Sequence, residues 1–216
     1  MIKASAARFK HEARLLAQVR HPNLVEVREL DTSSIPWIVY EPLAGPSLHA
    51  LRAGRALPVK TAVAAVCQLL SALEALHAAG FVHRVIKSQR LVQDRDGVWK
   101  LVGLRSAAAP GTIEWSVVGT PAYMAPEACV GEPHTTASDL YSAGVVLYEA
   151  LAGRVPFKGQ NLHQTVMMHL HEPPAPPSKH AEVPRWLDEL ALRALAKAPG
   201  DRFASARAFR EALEAR

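Results

Sequence analysis

Phe81-Val82-His83-Arg84-Val85-Ile86-Lys87-Ser88-Gln89-Arg90-Leu91-Val92 is the stretch on which the fold turns. Apolar pairs at its two ends predict short strand-like pieces buried in a core. Between them sit His83, Arg84, Lys87 and Arg90. Cationic and titratable groups packed that closely need water or anions around them. A basic turn on the surface meets that need as well as an anion site does, so the surrounding chain has to decide.

The 216 residues are enough for one sizeable core, and a single domain over 1–216 is the expectation. Hydrophobic residues make up 49% and charged residues 21%, the proportions of a soluble globular protein. No run of about 18 or more apolar residues occurs, so no membrane span is expected. The N-terminus lacks an apolar signal core, which predicts no export. Cys67 and Cys129 stand in unrelated contexts and read as small buried hydrophobes in a reducing cytoplasm. The net charge of +5 is uneven: Lys3, Arg8, Lys10, Arg14 and Arg20 face only Glu12 near the start. That basic face suits an acidic partner or plain solvent.

Helical spacing of Phe9, Ala13 and Leu16 predicts a helix over 5–20, stopped by His21-Pro22-Asn23. Leu24 to Leu30 alternates apolar and charged residues, a half-buried strand. Pro36 to Glu41 is its expected hairpin partner across the turn Asp31-Thr32-Ser33-Ser34. Leu57-Pro58 opens a long core helix whose inner face is predicted at Val59, Val63, Val66, Leu70, Leu73 and His77, ending at Ala79-Gly80. Asp94-Arg95-Asp96-Gly97 reads as a hairpin turn before the strand 98–102, and residues 103–127 as a long loop. The segment 138–152 is apolar nearly all round and must be buried, with Gly153 as its cap. Helices follow at 160–170, 185–197 and 205–215, with the extended Pro173-Pro174-Ala175-Pro176-Pro177 between the first two.

The opening stretch, His83-Arg84-Val85-Ile86-Lys87 through Arg90, resembles the catalytic loop of serine/threonine protein kinases, H-R-D-x-K-x-x-x-N. Other stretches fit in the same order. Gly119-Thr120-Pro121-Ala122-Tyr123-Met124-Ala125-Pro126-Glu127 resembles the end of an activation segment. Asp139-Leu140-Tyr141-Ser142-Ala143-Gly144 is similar to the family's buried D-x-x-S-x-G helix, and Pro199-Gly200-Asp201-Arg202-Phe203 to its late arginine motif. His21-Pro22-Asn23 and the hinge-like Tyr40-Glu41-Pro42-Leu43 also match. The chain is thereby identified as resembling bacterial-type serine/threonine protein kinases. The resemblance implies an α+β fold with a mainly helical C-terminal lobe, residues 44–216. It also implies a much reduced N-terminal lobe, residues 1–43, with one helix and a two-stranded hairpin.

The resemblance also assigns roles. Glu127 pairs with Arg202 in the interior; Asp139 accepts hydrogen bonds from backbone around His83 and Arg84. Glu12 matches the helix glutamate that pairs with the ATP lysine, for which Lys3 is a poor stand-in. Where the family has its catalytic base this chain has Val85. Where it has its two magnesium ligands this chain has Arg90 and Gly103. Glu41, Leu43 and Lys87 are the residues left for a nucleotide. No cofactor is therefore expected: no magnesium site remains, and ATP stays open only as an alternative.

The function expected on this basis is that of a pseudokinase, a binding or scaffold module in cytoplasmic signalling. Two alternatives stay open: a serine/threonine kinase working by an unconventional route, and a gene remnant or mis-started fragment of a kinase. Arg84, Lys87, Arg90 and Arg105 are candidate anion-binding residues, unless they face water or pair with Asp94 and Asp96. The expected partner is a protein, phosphorylated or acidic; no nucleic acid or membrane is expected. Self-association through an uncovered sheet face (Leu24, Val25, Val27, Trp37, Val39) is expected as well. His163, His169 and His171 lack companions at metal-ligand spacing. Thr112 and Ser116 are read as ordinary loop residues, and the proline run as a linker.

Overall fold

Apolar helices, not sheets, carry the core of this protein. A computed structural model describes residues 18–31, 37–112 and 120–215. The helix expected over 5–20, with Lys3 and Glu12, lies outside these residues. So do the centre of the turn after Asp31, Ser116 and Gly119.

Seven α-helices occur among the described residues: α1 (Leu48–Arg52), α2 (Val59–Ala78), α3 (Pro126–Cys129), α4 (Thr136–Ala152), α5 (Leu162–His171), α6 (Arg185–Ala194) and α7 (Ala206–Glu214). α2 packs against α4 and α7, and α4 against α6. Every residue of α4 from Ser138 to Ala152 is buried, so α4 is the axis of the domain. Gly144 is the point of closest approach, because a Cβ there would lie 2.6 Å from the Cβ of Ala194 on α6. Gly153 ends α4 in a left-handed turn (φ 74°).

The buried face of α2 differs from the expected one. It runs through Ala62, Ala65, Val66, Leu69, Leu70, Ala72, Leu73 and Leu76, while Val59 and Val63 are only half-buried. The alanines belong to the contact because small side chains let α4 and α7 come close, and a pattern of large residues misses them. α2 is also, by length and composition, the one described helix apolar enough to cross a membrane. Here that apolarity serves packing inside the domain.

Two small antiparallel sheets complete the fold. β1 (Val27–Asp31) pairs with β2 (Trp37–Tyr40), with a register shift between Val27 and Glu29; β3 (Leu91–Gln93) pairs with β4 (Trp99–Leu101). The expectation that Leu24 and Val25 lie on an uncovered sheet face is corrected. They are 2% and 3% exposed and belong to the core. The reason is a backbone stitch: Leu101 N donates to Asn23 O (2.8 Å) and Val25 N to Leu101 O (3.1 Å). Asn23 Nδ2 adds bonds to Trp99 O and Gln68 Oε1. Of the described apolar residues of this hairpin, Leu30, Trp37 and Val39 are exposed, and β1 itself is mostly exposed rather than half-buried.

The described parts of the segment 103–127 are less irregular than expected. They hold short 3-10 turns at Leu104–Ser106 and Pro121–Tyr123, and α3 begins at Pro126. α1 escaped the sequence reading, although the Ser47 hydroxyl accepts from Ala50 N as an N-cap does.

Candidate functional site

The basic stretch of the chain is not a surface turn. Residues 82–86 are all buried, and their backbone is tied down by one carboxylate. Asp139 Oδ2 accepts from His83 N (2.7 Å) and Oδ1 from Arg84 N (2.9 Å), while His77 Nε2 lies 2.9 Å from Oδ2. Burial would raise the Asp139 carboxyl, but His77, the His83 amide and the nearby rings outweigh it and hold it below the ordinary carboxylate range. This clamp holds Arg84 in the left-handed region at φ 69°, a conformation that costs about 1–3 kcal/mol and persists only where the surroundings impose it. The His83 ring is buried and pushed down to about 4, chiefly by burial, so it is neutral at pH 7. Its Nε2 faces Val102 O at 3.3 Å, and its Nδ1 accepts from Val85 N at 3.3 Å.

The four cations of the stretch and its neighbour do not converge. Arg84 is buried and its Nε donates to Ser106 O. Lys87, extended at φ −164°, reaches the other way, its Nζ 3.1 Å from Thr120 Oγ1. The 3-10 turn Ser88–Arg90 then swings Arg90 back toward Gly103, where Nη1 donates to Gly103 O at 2.6 Å. Arg90 and Arg105 line one cavity of about 350 Å³ together with Val25, Tyr40, Leu43, Val102, Gly103 and Ser106. Arg84 and Lys87 do not line it. The anion-binding set is thus split in two by the alternation of backbone direction. Asp94 and Asp96 take up other work: Asp94 Oδ1 accepts from Asp96 N and Val98 N, and Asp96 lies against Arg95.

Val85 is buried in the wall of a second, nearly filled space shared with Thr120, Tyr123 and Ser142. Its void of about 10 Å³ has room for one water at most. Gly103 adopts φ +80°, and a Cβ built there would lie 2.9 Å from Arg90 Cζ. The arginine side chain therefore stands where a side chain at 103 would go. Leu104 beside it is fully buried. Of the hinge residues, Leu43 lines the larger cavity. Glu41 is engaged elsewhere, accepting from Glu26 N (2.9 Å) and facing Lys100 Nζ (3.1 Å).

Behind the site, Glu127 and Arg202 form a two-pronged ion pair, Nη1 to Oε1 and Nη2 to Oε2, each at 2.8 Å. Both are buried. Burial pushes the Glu127 carboxyl up, but the Arg202 donors and charge, with the Ser138 hydroxyl, outweigh it and leave it below its usual range. With this pair, the Asp139 clamp and the buried α4 in one frame, the geometry agrees with the motif order. The protein kinase domain profile matches residues 2–214.

The chain belongs to the protein kinase family.

Among curated relatives it is 38% identical over 218 residues to Serine/threonine-protein kinase Pkn1 of Myxococcus xanthus, covering 96% of this chain and 31% of that protein. It is 35% identical to Probable serine/threonine-protein kinase PknB of Bifidobacterium longum, covering 94% and 32%. To Serine/threonine-protein kinase PknA of Mycobacterium tuberculosis it is 36% identical, covering 96% and 50%. The chain spans about a third of the length of the first relatives it matches.

A protein kinase uses magnesium held by an aspartate and an asparagine to neutralise the phosphates. The residues here do not fit that ion. By the motif resemblance the asparagine position falls on Arg90 and the aspartate position on Gly103, and the guanidinium of the first lies where a side chain on the second would go. Among the described residues no three His, Cys, Asp or Glu side chains gather as metal ligands. His169 is a core residue, buried between Tyr141 and Phe157, with Tyr141 Oη 2.8 Å from its Nδ1. Thr112 closes a local turn through Ala109 O (2.7 Å).

A polar network went unread in the sequence. Ser88 Oγ lies 3.0 Å from Tyr123 Oη, which donates to Glu149 Oε2 (2.6 Å), and Glu149 Oε1 lies 3.0 Å from Arg52 Nη2. It joins the catalytic-type loop to the activation-type segment, α4 and α1. A glutamate in the apolar second half of α4 was its one visible sign, because a buried charge needs a partner.

Proposed function

We propose that this domain is a catalytically impaired protein kinase, a pseudokinase that serves as a binding or scaffold module in signalling. One observation carries the reading. The positions that supply the family's base and metal ligands are a buried valine, an arginine and a glycine, and the arginine occupies the space beside the glycine. Phosphoryl transfer depends on positioning and charge neutralisation, with an aspartate to accept the hydroxyl proton. A valine accepts no proton, and a guanidinium repels a divalent cation. The reading assigns no cofactor and takes a protein with acidic or phosphorylated groups as the partner. It assigns the domain to the cytoplasm, in line with the free thiols of Cys67 and Cys129.

A second reading, a serine/threonine kinase with an unconventional site, is favoured by the intact Lys87–Thr120 bond of 3.1 Å and by the kinase names of the relatives. Radiolabelled ATP with magnesium or manganese separates the two. The pseudokinase reading expects no label on protein substrates above a Lys87→Ala control. Incorporation above that control overturns it.

A further inference from the structure

The packing of α2 leaves one apolar stripe of that helix only half covered. Val59, Val63 and Cys67 recur four residues apart, so they stand one above the other on the same face, and each is half-buried. Trp186 from the first turn of α6 and Leu213 from the last turn of α7 join them as walls of a groove of about 590 Å³. That volume lies within the range of small-molecule sites. The groove shares no lining residue with the cavity beside Gly103. Its apolar wall carries no charge of its own, since burial above all pushes the Cys67 thiol up to about 11 and keeps it protonated at pH 7.

Two polar groups of the lining are unspent. Among the described residues Lys60 has no ion-pair or hydrogen-bond partner, and neither has the Trp186 indole N–H. The acid of the lining is spent: Glu214 Oε2 lies 3.0 Å from Arg210 Nη1, and Arg210 Nη2 lies 3.1 Å from Glu74. One free cation and one neutral donor therefore border an apolar groove.

We propose that the groove between α2, α6 and α7 is a binding site for a small aromatic monocarboxylate. The proposal goes beyond the pseudokinase reading and does not rest on it. A single ammonium matches a single carboxylate, and the indole N–H offers that carboxylate a second hydrogen bond. A phosphomonoester, with nearly two charges at pH 7, would bring an excess negative charge close to Glu214. The ring belongs on the apolar side, where Val63, Cys67 and Leu213 take its body out of water. Trp186 favours an aromatic body over an alkyl one, because ring pairs gain from offset or edge-on packing beyond the area they bury.

Naphthoate is the probe, titrated by calorimetry into the full chain, with neutral naphthylmethanol as the isostere that lacks the charge. The expected result is saturable one-to-one binding of naphthoate below millimolar concentration, weakened about tenfold or more by Lys60→Gln. Naphthylmethanol should bind more weakly and equally well to both forms. Ala64→Phe places a ring in the groove from an exposed position of α2 and should abolish binding with the melting temperature preserved. In the unaltered chain, bound naphthoate should slow alkylation of Cys67 and leave that of Cys129 unchanged, a readout that needs no variant to fold. Trp37→Ser with Val39→Ser should not affect binding, since the exposed hairpin is no part of this site. No saturation at millimolar naphthoate, binding indifferent to Lys60→Gln, binding that survives Ala64→Phe, or no protection of Cys67 overturns the proposal.

Discussion

Truncating Arg202 removes one half of a buried, two-pronged ion pair. Its side chain is 0% exposed and makes five hydrogen bonds. Two go to the Glu127 carboxylate at 2.8 Å, and three to the carbonyls of Ala196, Ala137 and Lys197 at 2.8, 2.9 and 2.8 Å. The guanidinium also lies 4.9 Å from the Tyr141 ring centroid. In Arg202→Ala, Glu127 keeps the Ser138 hydroxyl at 2.8 Å but loses its counter-charge. Water entering the void can serve the three carbonyls, so the stranded carboxylate dominates. Removing one partner of such a pair costs about 3–5 kcal/mol, a large part of the 5–15 kcal/mol that holds a typical domain together. Urea unfolding at pH 7, followed by circular dichroism, measures the loss. Without Arg202, burial, the largest influence on Glu127, is opposed only by the Ser138 hydroxyl and the backbone amide, so the pKa of the carboxyl rises. The penalty should then shrink as pH falls toward 5 and the carboxyl takes up a proton. Glu127→Gln in the Arg202→Ala background should recover part of the loss for the same reason. An Arg202→Ala loss no larger than that of the exposed Arg207→Ala, or no recovery with Glu127→Gln, would refute the reasoning.

Three further outcomes are expected. His83 and His169 are each pushed down to about 4, mainly by burial, so the unfolded chain binds protons that the folded chain refuses between pH 6.5 and 4. Stability is full above about 6.5 and falls through that window, by roughly 3 kcal/mol per histidine at the limit; a melting temperature flat from pH 7 to 4.5 would contradict this. Gly103→Ala should cost about 1–3 kcal/mol through its positive φ and the Arg90 contact, and less in an Arg90→Ala background. Equal costs in both backgrounds would show that Arg90 is not what Gly103 accommodates. Self-association through the small-lobe sheet now rests on Leu30, Trp37 and Val39, each over 40% exposed. Sedimentation should detect dimers that Trp37→Ser with Val39→Ser removes, and a monomer at high concentration in the unmodified chain would end the idea.

Local patterning carried the helices. The apolar spacing of residues 59–78 and the unbroken apolarity of 138–152 are short-range properties, and the burial each implies follows from the helical repeat. Partners far apart in the chain are not legible that way. Glu127 and Arg202 stand 75 residues apart, and only the order of motifs suggested that they meet. The face of α2 was read in part: Val66, Leu70 and Leu73 are buried as expected, but the alanines were missed because hydrophobic size alone does not report close approach. Leu24 and Val25 were misread because their strand is stitched to Leu101, a pairing no local pattern encodes.

The sequence by itself determined the family and which residue types stand at the positions matching its motifs. Those follow from the order of motifs and from residue identity, since a valine side chain accepts no proton and a glycine offers no side-chain ligand. Only the tertiary structure decided where the cations point. Arg84 in a left-handed turn, Lys87 extended and Arg90 at the end of a 3-10 turn send like residues in different directions. Their side chains end on Ser106, Thr120 and Gly103. Backbone conformation imposed by distant packing, through Asp139 above all, sets those directions, so three positive charges close together in the sequence end in three different places in space.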